Sequence, residues 1–315
     1  MLRLIGWRLP QMVLSLALLS LLAWLAIGLM PGDPVSLAAL NDPHLTAADM
    51  ARLRALHGLD QPLLLRWWAW VQAVLRGEFG YSRLYARPAA QILLPALRAT
   101  LELLGAALLL SAGLGVAMGV LAALRPRFAP AVEAVAILGQ SVPVFWFAIL
   151  AILVFAVRLG WLPAGGTAEE GWPAEWRFLL LPVVTLAFHG LAAYARHTAA
   201  AMRGVLGQNF ILAARARGAG GARIAWTHAF PNAAIPVLAI AAVDVGALVS
   251  GALVTETVFA RPGMGKLLYD AVMGNDYNLA LLALLLVALV TMLATLGADL
   301  LQQALDPRLR GEEPR

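Results

Sequence analysis

The chain alternates long runs without a charged side chain and short charged intervals. Runs 9–32, 103–124, 134–157, 178–195 and 277–298 contain no Asp, Glu, Lys or Arg. Each reaches the roughly 17–25 residues that carry a helix across about 30 Å of hydrocarbon. A sixth run, about 236–255, is interrupted by Asp244. The pattern predicts an all-α integral membrane protein with six crossing helices, and hence both chain ends on one side. Run 9–32 exceeds the roughly 7–15 apolar residues of a cleavable signal, and no small-residue cleavage site follows it. It is expected to remain as the first span.

The interval between the first two spans has a pattern of its own. Thr46 and Asp49 ahead of MARLRALHG predict a helix start, and Gly58 its stop. LLLRWWAWVQAVLRG then reads as an amphipathic or partly buried helix rich in Trp. Two readings are open: an interfacial helix with a Trp belt, or a docking surface for a soluble partner. Inside the spans, Ser111, Gly115 and Gly119 recur every four residues, as do Gly246 and Ser250. Small residues at that spacing let helix backbones approach closely, within this chain or against a partner subunit.

Composition and charge sharpen the picture. Hydrophobic residues make up 61% of the chain and charged ones 13%, about half the roughly 25% of a soluble domain. Mean hydropathy is +0.79 and the isoelectric point about 10.2. The net charge of +5 comes from Arg, since Lys266 is the only lysine. Arg3, Arg8, Arg125, Arg127, Arg196, Arg203, Arg215, Arg217, Arg223, Arg308, Arg310 and Arg315 all fall on one side of a six-span chain. The opposite loops are mixed: Glu169, Glu170 and Glu175 with Arg177, then Glu256, Asp270 and Asp276 with Arg261 and Lys266. This asymmetry predicts cytoplasmic termini rather than nucleic-acid binding; the Arg-bearing interval 31–98 is long enough to cross regardless. Without Cys, disulfides, thiolate catalysis and Cys-metal sites are excluded.

One basic stretch breaks the pattern. Residues 211–236 read ILAARARGAGGARIAWTHAFPNAAIP, and no acid occurs between Ala195 and Val243. Positions 211–217 favour helix. Gly218 is expected to end it, and Gly220 and Gly221 to delay its resumption. Ile211, Leu212 and Arg215 are expected on one face and Arg217 on another. A second segment then runs into the fifth span through Pro231 and Pro236. Such a loop is either a membrane-surface helix with snorkelling arginines or a handle for a cytoplasmic machine.

Ala213-Ala214-Arg215-Ala216-Arg217-Gly218, followed by HAFPNAAIP (228–236), resembles the EAA loop of ABC-transporter permeases. More narrowly it resembles the B-type membrane subunit of dipeptide/oligopeptide importers. LMPGDP (29–34), GLDQPLLLRWWAWVQAVLRGEFGYS (58–82), LPALRATLELLGAALLLSAGLGVAMG (94–119) and GALVTETVFARPGMGKLLYDAV (251–272) agree in order and separation. The resemblance runs from Arg8 to about Leu305. It implies the type I ABC importer transmembrane fold with an extracytoplasmic domain between helices 1 and 2. It also implies that Ala213, Ala214, Arg215, Ala216, Arg217 and Gly218 form a coupling helix and turn docked in a cytoplasmic ATPase. The leading Glu of the general motif is absent, Leu212 or Ala213 standing there, as is common in the dipeptide branch. A salt bridge from that position to the ATPase is therefore not expected.

RPGMGKLL is not a P-loop: Ala260 replaces the first Gly and Leu267 the Mg²⁺-binding hydroxyl. No ATP or other cofactor is expected in this chain; ATP and Mg²⁺ belong to partner subunits. The resemblance makes Glu256, Pro262, Gly263 and Gly265 part of a fixed outer loop. Candidates for the translocation path are Asp244, Ser141 and Gly246. Asp244, where the family usually has an uncharged polar residue such as Gln, either lines the path and attracts a cationic group or is buried between helices. His189 is read as a packed side chain rather than a metal ligand, and Glu102 and Glu133 as boundary charges.

The expected divisions are 1–30 (N-terminus and first span), 31–96 (extracytoplasmic domain), 97–303 (permease core, with coupling loop 196–232) and 304–315 (cytoplasmic tail). Expected partners are a second homologous permease, two cytoplasmic ABC ATPases, an extracytoplasmic substrate-binding protein and membrane lipid. An ion-driven secondary transporter would use Asp244 and His189 as a proton relay, yet it shows no internal repeat and gives 211–236 no role. An intramembrane hydrolase built on Ser250 and His189 lacks a G-x-S-x-G turn. Dipeptides, longer peptides, glutathione-like compounds and metal chelates are all compatible substrates.

Overall fold

The structure, a computed structural model, describes residues 2–29, 46, 49, 52, 61–168 and 174–305, without the side chains of 2, 3, 235, 236, 239–247, 250 and 305. Helix α1 (Leu2–Gly28) is followed by α2 (Leu63–Leu75) and a small antiparallel hairpin, β1 (Tyr81–Ser82) with β2 (Arg87–Pro88). Then come α3 (Ala89–Leu124), α4 (Ala129–Ser141) and α5 (Val144–Ala151), which continues as a π-helical stretch, Ile152–Arg158. The second half holds α6 (Glu175–Leu206), α7 (Asn209–Ala216), α8 (Phe230–Val258), α9 (Met264–Met273) and α10 (Tyr277–Leu305).

Among the described residues, four helices are long and apolar enough to cross a membrane: Leu4–Gly28, Ala89–Leu124, Glu175–Leu206 and Tyr277–Ala304. Run 134–157, expected to be one span, is broken into two helices, Pro126–Ser141 and Val144–Arg158, bent by 103°. The cause is local. Pro143 has no N–H to donate and crowds the residue before it, which therefore leaves the helical region. Val142 accordingly has ψ 122° and Pro143 ψ 138°. Counted as one broken crossing, the pair makes five. Helix α8 has 29 residues and is therefore roughly 44 Å long. Helix α6 outruns run 178–195 at both ends, because Glu175, Arg196 and Arg203 are tolerated in a helix that projects beyond the hydrocarbon.

Glycines set the centre of the bundle. A Cβ on Gly115 would lie 2.8 Å from the Leu191 carbonyl oxygen of α6, and one on Gly119 2.6 Å from that of Ala195. One on Gly139 would lie 2.7 Å from the Phe188 carbonyl oxygen. Helix α6 thus has α3 on one side and α4 on another at backbone contact, as the four-residue repeat in α3 predicts. Ser111 on the same stripe is buried, as are Leu191, Tyr194 and Ala195 opposite it.

The segment before α3 is fixed to the ends of other helices. Trp67 donates its indole N–H to Ser20 of α1 (3.2 Å) and Trp70 to Asn278 of α10 (3.0 Å), while the Trp24 and Trp70 rings meet tilted by 41° with centroids 5.7 Å apart. Leu64, Leu65 and Trp68 face outward. Asp276 caps α10 through Leu279 N–H and accepts from Ser82 Oγ (2.5 Å) and Leu84 N–H (3.0 Å), seating the hairpin. Of the domain expected over 31–96, most of 30–60 lies outside the described residues. Thr46 and Asp49 do form the reciprocal capping pair: Thr46 N–H donates to Asp49 Oδ2 and Asp49 N–H to Thr46 Oγ1.

Gly119→Ala should destabilise the protein by about 1–3 kcal/mol through overpacking. Gly113→Ala, where an added Cβ meets nothing within 4 Å, should not. Thermal unfolding of the two variants in detergent measures the difference.

Candidate functional site

The basic stretch folds as a short helix clamped to the arginine-rich end of the bundle. Helix α7 stops at Gly218 with φ +83°, in the left-handed region that glycine adopts without strain. Ala219 N–H donates to the Ala214 carbonyl (3.1 Å) and Gly218 N–H to that of Arg215 (2.9 Å), the paired bonds of a Schellman cap. Helix resumes sooner than expected. Gly221 opens the turn Gly221–Arg223, and a π-helical stretch, Ile224–Ala229, leads directly into α8. The glycine interruption is thus 218–220, and Gly221 belongs to the second arm.

Which face of α7 is buried also differs from expectation. Ile211 (0% exposed) and Ala214 point inward, whereas Leu212 is 55% exposed and Arg215 lies open. The buried face follows i, i+3 rather than uniting Ile211, Leu212 and Arg215. Ile211 packs in one cluster with Val120 of α3, Met202 of α6, Ile224 and Ala229 of the π-helical stretch, and Ala233 in the first turn of α8. Phe210, Leu212 and Trp226 (54% exposed) stand outward beside exposed Arg215, Arg217 and Arg223. An apolar face studded with arginines, without acids, on a helix anchored to three long helices is suited to docking a protein. It is less suited to chemistry: Ala213, Ala214 and Ala216 offer no reactive group.

The opposite end holds a buried polar knot. Glu256, fully buried at the end of α8, accepts from Thr100 Oγ1 (2.6 Å), Gly265 N–H (2.7 Å) and Lys266 N–H (3.3 Å). Thr100 Oγ1 in turn accepts from Met264 N–H at 2.7 Å. Arg261, 2% exposed, bridges Glu175 Oε1 (2.8 Å) and Glu102 Oε2 (3.5 Å). Gly263 and Gly265 exist for space: a Cβ would meet the Glu256 carboxylate at 2.1 Å and Leu253 Cα at 2.3 Å respectively. This knot ties α3, α6, α8 and α9 together, with Pro262 at its rim. Sequence reasoning found Glu256 and the glycines but missed Arg261, Glu175 and Thr100. Their contacts span 86 to 159 positions along the chain and leave no local signal.

The remaining candidates are dispersed. Ser141 is exposed at the break between α4 and α5. Asp244, Gly246 and Ser250 lie within α8, but their side chains fall outside the described residues. His189 lies on the exposed side of α6 with Nδ1 3.1 Å from the Gly139 carbonyl. Glu102 pairs with Arg261 and Arg98, and Glu133 with Arg196.

Residues 115–311 match the family described as binding-protein-dependent transport system inner membrane component. The chain belongs to that family. The permease is 34% identical to the di/tripeptide transport system permease protein DppB of Pseudomonas aeruginosa, over 98% of this chain and 99% of that one. It is also 34% identical to the glutathione transport system permease protein GsiC of Escherichia coli K12, over 96% and 97% of the two chains. Among solved structures, an inward-facing conformation of the MetNI methionine ABC transporter superposes with TM-score 0.59 at 20% identity, covering 70% of the permease and 98% of that chain. The permease therefore has the fold of an ABC importer membrane subunit.

Removing Arg261 should strand Glu175 and Glu102 at the knot. Arg261→Met is expected to destabilise the permease by up to about 3–5 kcal/mol, less in proportion to the exposure of Glu102. Arg98→Met removes only an exposed partner of Glu102 and should cost below about 1 kcal/mol. Comparing the unfolding transitions of the two variants checks this.

Proposed function

We propose that this chain is the membrane permease of an ATP-driven, binding-protein-dependent importer of peptides, glutathione-like peptides included, in the bacterial inner membrane. It crosses six times with both termini cytoplasmic, pairs with a second homologous permease, and receives force from two ABC ATPases through α7. The excess of arginine at the α7 end supports the orientation. Names of relatives at 34% identity over nearly the whole chain support the peptide class.

The observation that carries this reading is α7 itself. It exposes Phe210, Leu212 and Arg215 to solvent while Ile211 is locked into the ends of α3, α6 and α8. A partner gripping the outer face moves the inner one. Nucleotide-driven closure of the ATPases would bias the bundle between inward- and outward-open states by binding one of them better. Glu256, Pro262, Gly263 and Gly265 hold the other end in one shape, where a substrate-loaded binding protein docks. Asp244, Ser141 and Gly246 remain candidates for the path.

Gly218→Val forces a β-branched residue to φ +83°, at a cost of at least about 1–3 kcal/mol to the turn. Membrane insertion should persist while ATP-dependent uptake falls about tenfold or more and co-purification of the ATPases weakens. Normal uptake and normal co-purification would contradict the proposal.

A further inference from the structure

Helix α6 is largely buried, yet one face stays open and polar from its middle to its end. His189, Arg196, His197, Ala200 and Arg203 recur on that face at helical spacing, and all are exposed. Measured from Glu175 at 1.5 Å per residue, His189 lies roughly 20 Å and Arg203 roughly 40 Å along the helix. The strip therefore runs from mid-membrane depth to the arginine-rich end. Helix α4 flanks it: Arg196 Nη1 donates to Gln140 Oε1 (3.1 Å), and its Nε lies 3.6 Å from Glu133 Oε1. Between the two helices is a groove of about 720 Å³ lined by Glu133, Gln140, Arg196, His197 and Arg203. Arg203 donates Nε only to its own helix, to the Ala199 carbonyl, and among the described residues no carboxylate pairs with it.

Hydrocarbon does not accommodate such a strip; ionisable residues of membrane helices face protein or a water-filled cavity. The inner end of the strip, His189, lies against Gly139, three residues before the break at Val142–Pro143, and non-helical backbone at membrane depth is held to the same condition. The groove carries two guanidiniums against one carboxylate, so it is net positive with a negative corner. That charge pattern is complementary to a zwitterion longer than an amino acid.

We propose that this groove is the inner vestibule of the translocation path, where a departing peptide rests with its α-carboxylate on Arg203 and its ammonium group toward Glu133. The proposal rests on the peptide-importer reading. A guanidinium is a forked donor to carboxylate. Because Arg196 is already engaged by Gln140 and Glu133, and Arg203 Nε by the Ala199 carbonyl, among the described residues the Arg203 terminal nitrogens supply the open donors, which keeps the site weak enough to empty.

The test uses the assembled transporter in proteoliposomes, with radiolabelled alanine peptides of two to five residues as probes. In the wild type, peptides with free C-termini should be taken up. In Arg203→Gln, uptake should fall about tenfold, the worth of one charge-assisted hydrogen bond, while Arg203→Lys restores most of it and ATP hydrolysis continues in both. The chain has no native Cys, so Ala200→Cys supplies a single thiol. A negatively charged methanethiosulfonate should label it from the α7 side, and free peptide should slow that labelling during turnover. Unchanged uptake in Arg203→Gln, or labelling of Ala200→Cys that is absent or indifferent to peptide, overturns the vestibule. A wild-type transporter that imports none of the peptides contradicts instead the peptide reading beneath it.

Discussion

The contact on which the rest of this bundle depends is backbone against backbone. Gly115 and Gly119 let α3 lie on α6 without an intervening side chain, and Gly139 does the same for α4. In a membrane, where burying apolar surface gives no advantage over lipid, such close approach supplies much of the association energy. Helix α6 becomes the axis to which the other elements are referred. Its last turn is also the root of α7, separated only by Gly207 and Gln208.

That geometry explains how a loop that carries no chemistry could still govern the whole chain. Ile211 reaches into the same cluster as Met202, Val120 and Ala229, so α7 cannot shift without disturbing the ends of three long helices. The π-helical stretch Ile224–Ala229 beside it lies at the root of α8; such irregular turns are common at functional positions. Toward the far end the same helices are joined by hydrogen-bonded ions in addition to apolar packing. Arg261, Glu175 and Glu256 fix one arrangement of α3, α6, α8 and α9 with little slack, since a buried charge without its partner is costly. On the proposed reading, one end receives force and the other keeps its shape while force passes.

Much of this was legible in the chain because the physics is local. Charge-free runs mark hydrocarbon, a four-residue spacing of small residues marks a helix contact, and Gly218 after an Ala-Arg helix marks a left-handed cap. The broken third crossing escaped a reading based on charge alone, although Pro143 carried the signal. The face of α7 was misjudged because its burial is decided by α3, α6 and α8 rather than by its own periodicity. The polar knot was invisible for a different reason: Arg261 meets Glu102 and Glu175 only once the fold exists. Exposed Arg203, in sequence only one of the arginines on the inner side, acquires meaning only beside Glu133 and Gln140 on the neighbouring helix.

The central claim is that an ATPase grips the open face of α7 from the cytoplasm. In this chain, which has no native Cys, Leu212→Cys places a single thiol on that face. A membrane-impermeant maleimide should label it in inside-out vesicles and not in intact cells, and bound ATPase subunits should shield it. Labelling from the outside, or labelling in the assembled transporter as fast as in the isolated permease, would contradict the account.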